Sequence, residues 1–349
     1  MKYSFKSDYC ELAHPALLMA FDTARNTQFE GYGLDEFSLR AADIIRSKIE
    51  SPLADVHFIG GGTHANLTAI SSFLRPHEAV IAPVSGHICV HEAGAVEATG
   101  HKVCAVDSPD GKLTADDIIN LLTTHDDEHM VSPRLVYISN STETGTVYKK
   151  EELAAISKVC RESNLLLYID GARLGAALNS SASNLSYTDI ANLSDAFYIG
   201  GTKNGALFGE AIVITNDSLK KDFRVLLKQR GALLSKGAAI GIQFEELFKD
   251  GLYDKLAQHA NLMAYKLARG IEGAGFSLAN PVETNMLFPI FPTNILTLLK
   301  SLYSFYDWKS ADGFTTVRLV TSWATPSTII DEFITDLKSL CSSNGIAHC

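Results

Sequence analysis

Two short apolar runs, each stopped by a turn that carries a charged residue, constrain this chain more than any other feature. Leu165-Leu-Leu-Tyr-Ile169 runs into Asp170-Gly-Ala-Arg173, and Asp195-Ala-Phe-Tyr-Ile199 runs into Gly200-Gly-Thr-Lys203-Asn-Gly205. Four to eight apolar residues closed by glycine or an acid read as buried strands. Related runs recur at Asp55–Ile59, Ala79–Ala82, Lys102–Val106, Arg134–Ile138 and Ala211–Ile214. Helical patterns separate them: Ala65–Leu74, with Leu67, Ile70 and Leu74 as its apolar positions, then His87–Ala98, then a helix that Thr114-Ala-Asp-Asp opens as a capping box. Strands alternating with helices predict an α/β fold whose mostly parallel sheet is covered on both faces. Asp170 and Lys203 then stand at the ends of core strands, where open α/β sheets bind their ligands.

Beyond Ile214 the pattern turns helical, over Asp217–Lys228, Ala238–Phe248 and Tyr253–Glu272, until Gly273-Ala-Gly275 breaks it. Strands at Asn285–Phe288 and Thr316–Thr321 and a last helix Ser327–Cys341 predict a small C-terminal α+β domain. The expected division is a large domain 1–252, including an N-terminal arm, and a small domain 253–349. A chain of 349 residues, 46% apolar and 20% charged, suits one large core and a smaller one. Its net charge of −10, with no basic run longer than two residues, argues against nucleic acid and anionic membranes as partners. No run approaches the roughly 18 apolar residues of a membrane span. The N-terminus lacks the apolar segment of a signal peptide. The six cysteines are scattered without a C-x-x-C, so they read as buried, reduced thiols of a cytoplasmic protein.

A lysine and a carboxylate at neighbouring strand ends are what a pyridoxal 5'-phosphate site needs, one to form an imine and one to keep the ring nitrogen protonated. Lys203 forms an imine readily only if burial or a nearby cation keeps its amine partly neutral; otherwise it is a solvated hairpin lysine. Asp170 serves equally as a helix N-cap. Arg173 could fork onto a ring hydroxyl or a carboxylate, or form a surface ion pair. Gly60-Gly-Gly-Thr-His-Ala-Asn66 follows a strand and opens a helix, which makes an anion cradle with Gly62 and Thr63 nearest the phosphate. It is no P-loop, since no Gly-Lys-Ser/Thr follows. His87 and His91 lie one helical turn apart, a spacing that also suits a metal. Glu92 would point to another face, so no metal is expected. His87 is better read as stacking on a ring, and His91 and Glu92 as core polar groups.

With these residues in view, the chain resembles low-specificity threonine aldolases of the aromatic amino acid β-eliminating lyase/threonine aldolase family. Matching words run nearly end to end: Phe5-Lys-Ser-Asp8, Gly31-Tyr-Gly-Leu-Asp-Glu36, Gly62-Thr-His-Ala-Asn66, Gly86-His-Ile88, Glu92-Ala-Gly94, Asp170-Gly-Ala-Arg173, Thr202-Lys-Asn-Gly205, Asn285-Met-Leu-Phe288 and Val317-Arg-Leu-Val-Thr321. The resemblance implies a fold-type I, aspartate aminotransferase-like enzyme. In it Lys203 carries the cofactor, Asp170 holds the pyridine nitrogen and His87 stacks on the ring. Ser7, Arg173 and Arg318 would bind the amino acid carboxylate, with Tyr32 near the site. Arg230 or Lys236 would reach the phosphate, in a homodimer or homotetramer with sites at the subunit interface. One loop departs from the enterobacterial pattern, which has a histidine in an Asn-Thr-His-Asn-Gly setting. Here it reads Asn140-Ser-Thr-Glu143-Thr-Gly145, the form of another branch, and this puts the contact to the substrate hydroxyl in doubt.

The expected reaction is retro-aldol cleavage of a β-hydroxy-α-amino acid, such as L-threonine or L-allo-threonine, to glycine and an aldehyde. His87, His91 and Glu143 are the candidate bases for the β-hydroxyl proton. The same carbanion chemistry serves a β-eliminating lyase, a racemase or a transaldolase, because fold does not fix reaction. A non-catalytic partner-binding protein would leave Lys203, Asp170 and Arg318 unexplained together.

Overall fold

The computed structural model describes residues 1–343. After a two-residue strand β1 (Tyr3–Ser4), seven strands build the central sheet: β2 (Asp55–Ile59), β3 (Glu78–Pro83), β4 (Val103–Val106), β5 (Ser132–Ser139), β6 (Leu166–Asp170), β7 (Ala196–Gly200) and β8 (Glu210–Ile214). Their spatial order is β2-β8-β7-β6-β5-β3-β4. Neighbours from β7 through β4 pair in parallel, and β8 alone runs against both its partners. Side chains alternate across this sheet with period two. Val136, Leu167 and Phe197 pack under the helices Glu36–Lys48 and Lys150–Glu162. Tyr137, Tyr168 and Tyr198 face the opposite layer, with the helices Gly62–Phe73 and Phe223–Gln229. This two-sided burial is why the strands read as unbroken apolar runs.

The C-terminal part adds β9 (Met286–Leu287), β10 (Ile290–Pro292), β11 (Tyr303–Ser304), β12 (Tyr306–Ala311) and β13 (Phe314–Val320). Antiparallel pairing sets the order β10-β13-β12, with β9 also on β13. Helices Thr293–Leu302 and Ser327–Ser343 cover this sheet. The helix Leu252–Glu272 serves both cores: Tyr253 and Leu256 pack in the large one, Met263, Leu267 and Ile271 in the small one.

Three sequence expectations change. The N-terminal arm was expected with the large domain, yet β1 pairs with β11 and Phe5 is wholly buried in the small core. Burying one phenylalanine contributes ~2 kcal/mol, enough to hold a short arm. The helix expected over His87–Ala98 is a single turn, His87–Val90, followed by a separate 3₁₀ turn at Glu97–Thr99. Ala93 and Gly94 adopt φ of 52° and 72°, which no right-handed helix accommodates. Likewise Asp222, at φ 61°, splits the helix expected over Asp217–Lys228 into a 3₁₀ turn and Phe223–Gln229. Of the cysteines, Cys104 and Cys160 are buried free thiols, whereas free Cys10 is exposed, contrary to the expected burial.

Candidate active site

At the C-terminal ends of β6 and β7 a cleft of about 760 Å³ opens, roofed by β12 and β13 of the small domain. Its lining brings together Gly60, Gly61, Gly62, Thr63, His87, Glu143, Asp170, Arg173, Lys203 and Arg318, residues that lie far apart in the chain.

Asp170 closes β6 as a buried carboxylate. Its Oδ1 accepts from the Ala172 amide at 3.0 Å and the Tyr198 hydroxyl at 2.5 Å, its Oδ2 from Tyr137 at 2.7 Å and Asn66 at 2.9 Å. Burial raises its pKa, but the bonds from Tyr198, Asn66 and Tyr137 and the charge on His87 outweigh it, leaving Asp170 below the usual carboxylate range. An ionised acceptor is thus aimed into the cleft. Lys203 follows β7 in a glycine-rich turn, half-buried, and its ammonium has no hydrogen-bond or ion-pair partner among the described residues. Glu210, at the start of β8, clamps that turn by accepting from the Gly201 amide and the Thr202 hydroxyl, each at 2.7 Å. Burial pushes its carboxyl up to about 7.

The helix Gly62–Phe73 presents its N-terminus to the cleft with no capping side chain. At Gly60 and Gly61 the space where a Cβ would stand is open, so the bare backbone faces the cleft. Free amides with the helix dipole behind them suit a phosphate. His87 donates from Nδ1 to Glu92 at 2.7 Å. Burial lowers the pKa of His87, but Glu92, Asp170 and Glu143 more than offset this, so it stands above the usual histidine value.

Arg173, weighed earlier as a surface ion pair, is buried. It forks onto Asp8 at 2.6 and 3.1 Å, and Asn285 also donates to Asp8. The Arg318 side chain has no hydrogen-bond or ion-pair partner among the described residues: its Nε is buried, and its guanidinium lies over the rings of Tyr306 and Trp308. Beside Arg173 and desolvated, it sits below the usual arginine range. A carboxylate would satisfy it.

Four expected site residues lie outside this lining. Ser7 is buried beside the Cys10 thiol. Tyr32, Arg230 and Lys236 share an outer surface, where the Tyr32 amide bonds to the Ser235 carbonyl, Lys228 lies over the Tyr32 ring and His64 contacts the Arg230 carbonyl. Sequence reading passed over Tyr9, Phe208, Glu210, Tyr306 and Trp308 in the lining, and the hydroxyls of Tyr137 and Tyr198. A tyrosine inside an apolar strand gives no signal of its own, though three at matching strand positions is a pattern that could have been read.

The cradle, the ionised acceptor, the unpaired lysine and the unpaired arginine fit pyridoxal phosphate and an amino acid. Together with the sheet order they define a fold-type I pyridoxal phosphate enzyme, and aspartate aminotransferase of Thermus thermophilus shares the fold, with a TM-score of 0.71 at 16% identity over 97% of this chain and 91% of that one. Residues 5–292 match the model of the beta-eliminating lyase family, and the chain belongs to that family. It is 34% identical to the low specificity L-threonine aldolase of Pseudomonas sp. (strain NCIMB 10558), over 97% of this chain and 98% of that protein. A solved threonine aldolase from Leishmania major superposes with a TM-score of 0.96 at 50% identity, covering 97% of this chain and 99% of that one.

Proposed function

We propose that this chain is a pyridoxal phosphate-dependent aldehyde-lyase that cleaves L-threonine, L-allo-threonine and related β-hydroxy-α-amino acids to glycine and an aldehyde. The observation that carries the reading is that one cleft is lined by Lys203, by ionised Asp170 and by Arg318, whose buried Nε has no hydrogen-bond partner among the described residues. Lys203 would hold the cofactor through its aldehyde, Gly62 and Thr63 would take the phosphate, Asp170 would keep the ring nitrogen protonated, and His87 would lie against the ring. Bound there, the cofactor supplies an electron sink for the pair released at Cα. Arg318 would take the substrate carboxylate and so fix the orientation of the bonds at Cα. Arg173, locked on Asp8, fixes the wall beside it, and Glu143 faces the substrate from the loop after β5. Ser7 supports the arm that carries Asp8.

The domain division at 252/253 belongs to this reading, with the N-terminal arm crossing onto the small domain and the helix Leu252–Glu272 as the shared strut. So does a homodimer or homotetramer, in which Tyr32, Arg230 and Lys236 serve a neighbouring subunit's cleft. Free Cys10, Cys89, Cys104 and Cys160 suit the reducing cytoplasm.

The test is Lys203→Ala. Purified wild-type protein is expected to show the visible band of covalently bound cofactor and to release glycine from L-threonine. The variant is expected to lose both; an unchanged spectrum would remove Lys203 from its role. Pyruvate from serine, in place of glycine from threonine, would instead favour a β-eliminating lyase.

A further inference from the structure

We propose that His91, rather than His87, takes the β-hydroxyl proton as the Cα–Cβ bond breaks; the assignment rests on the retro-aldol reading above. Both imidazoles line the cleft, their ring centroids 5.5 Å apart and their planes at 54°. Their surroundings divide the work. His87 Nδ1 is held 2.7 Å from Glu92 Oε1, on a carboxylate side chain with no solvent exposure. The other Glu92 oxygen has no partner among the described residues. Glu92 Oε1 also accepts from Asn66 at 2.7 Å, and among the described residues His87 is the one ionisable side chain bonded to Glu92; with Asp170 and Glu143 also near, the proton on His87 is favoured. An imidazolium has no lone pair with which to accept a proton.

His91 is differently placed. The single helical turn ends at Val90, and the left-handed residues Ala93 and Gly94 swing the chain away. This leaves His91 at the mouth of the cleft, its side chain without a hydrogen-bond or ion-pair partner among the described residues. The charged groups that face it are His87 on its own segment, Glu143 from the loop after β5, Lys203 from the turn after β7 and Arg318 on β13. Partial burial lowers its pKa, Glu143 opposes this, and His87, Arg318 and Lys203 lower it further. His91 is therefore neutral at pH 7 and able to accept.

In the step itself the imidazole lone pair of His91 takes the β-hydroxyl proton. The O–H pair becomes the second C–O bond of the departing aldehyde, and the Cα–Cβ pair stays with Cα. Water supplies the proton that adds at Cα to complete glycine, and His91 returns the hydroxyl's proton to water, so protons balance. Pyridoxal phosphate is the one co-reactant this step needs.

The test compares His91→Asn and His87→Asn as holoenzymes. For His91→Asn the turnover of L-threonine and L-phenylserine is expected to fall roughly 10²–10³-fold, with loss of the acid limb of the pH–rate profile. Its bound-cofactor spectrum and glycine affinity are expected to match wild type, and free imidazole to restore part of the activity of His91→Ala. His87→Asn is expected to keep the acid limb while binding the cofactor more weakly. A His91→Asn enzyme with its limb intact and turnover within about threefold of wild type would overturn the assignment, as would loss of the cofactor band in that variant. Failure of the retro-aldol reading would look different: wild-type protein would bind the cofactor and release no glycine, and the assignment would fall with it.

Discussion

Glu210 is a buried carboxyl at the floor of the cleft, clamping the turn that carries Lys203. It has a consequence for stability as well as for geometry. Its folded pKa is raised from 4.5 to about 7 by burial. The native state therefore holds a proton that the unfolded chain has lost, and stability falls as pH rises from 4.5 toward 7. Some 2.5 units at 1.36 kcal/mol each make that loss about 3 kcal/mol. Glu210→Gln still accepts from the Gly201 amide and carries no such dependence. Thermal midpoints at acid and neutral pH are the check: the variant should gain on the wild type as pH rises. Parallel curves would show that Glu210 does not titrate in this window. Asp170 sits as deep yet goes the other way, because bonds from Tyr198, Asn66 and Tyr137 and the charge on His87 hold its carboxylate, whereas Glu210 has two donors and the Asp170 charge against it.

At the scale of elements, two glycines in strand-to-helix turns separate packing from binding. A Cβ on Gly171 would collide with the Tyr198 carbonyl oxygen of β7, and β6 could not keep its place beside it. Gly171→Ala is expected to cost ~1–3 kcal/mol, seen as a lowered melting temperature of the apoprotein. At Gly61 the added Cβ meets open space, and its φ of 178° is extended backbone open to any residue. Gly61→Ala should fold as wild type yet bind pyridoxal phosphate about tenfold or more weakly, since the methyl group takes room in the cradle. Equal affinity, measured by titration of the apoprotein, would move the phosphate elsewhere. The same scale shows what was legible beforehand. The strands β3 and β5 to β8 are readable because burial on both faces writes them as apolar runs, whereas the edge strands β2 and β4 are only partly buried. The polar strand β12, Tyr306–Ala311, is exposed along its length and carries no such mark, so its aromatic wall beside Arg318 went unseen. The short turn at His87 was misread as a longer helix because left-handed Ala93 has no sequence signature. Asp170 and Lys203 are legible because each follows an apolar run that a charge or a glycine closes, and Arg318, inside β13, is legible only through the resemblance of Val317-Arg-Leu-Val-Thr321; Glu210 opens β8 with no such mark.

At the scale of the whole molecule, several residues expected in the site lie outside the single chain's own cleft. Tyr32, Arg230 and Lys236 lie together on an outer surface, with Lys228 above the Tyr32 ring. The exposed apolar side chains Leu12, Met19, Leu34, Leu39 and Val225 come from the N-terminal segments and from the helix Phe223–Gln229, which also supply Tyr32 and lead into Arg230. Basic residues beside exposed apolar ones suit a second copy of the chain, whose phosphate cradle would take the charge. Complementation tests this without a structure of the assembly. Lys203→Ala and the double variant Arg230→Ala, Lys236→Ala should each be nearly inactive alone. Mixed and reassembled, a hybrid dimer holds one site that carries both lesions and one that carries neither, so glycine release should recover to about a quarter of wild type if subunits pair at random. If each chain served only its own cleft, every site in the hybrid would keep one lesion and mixing would restore nothing.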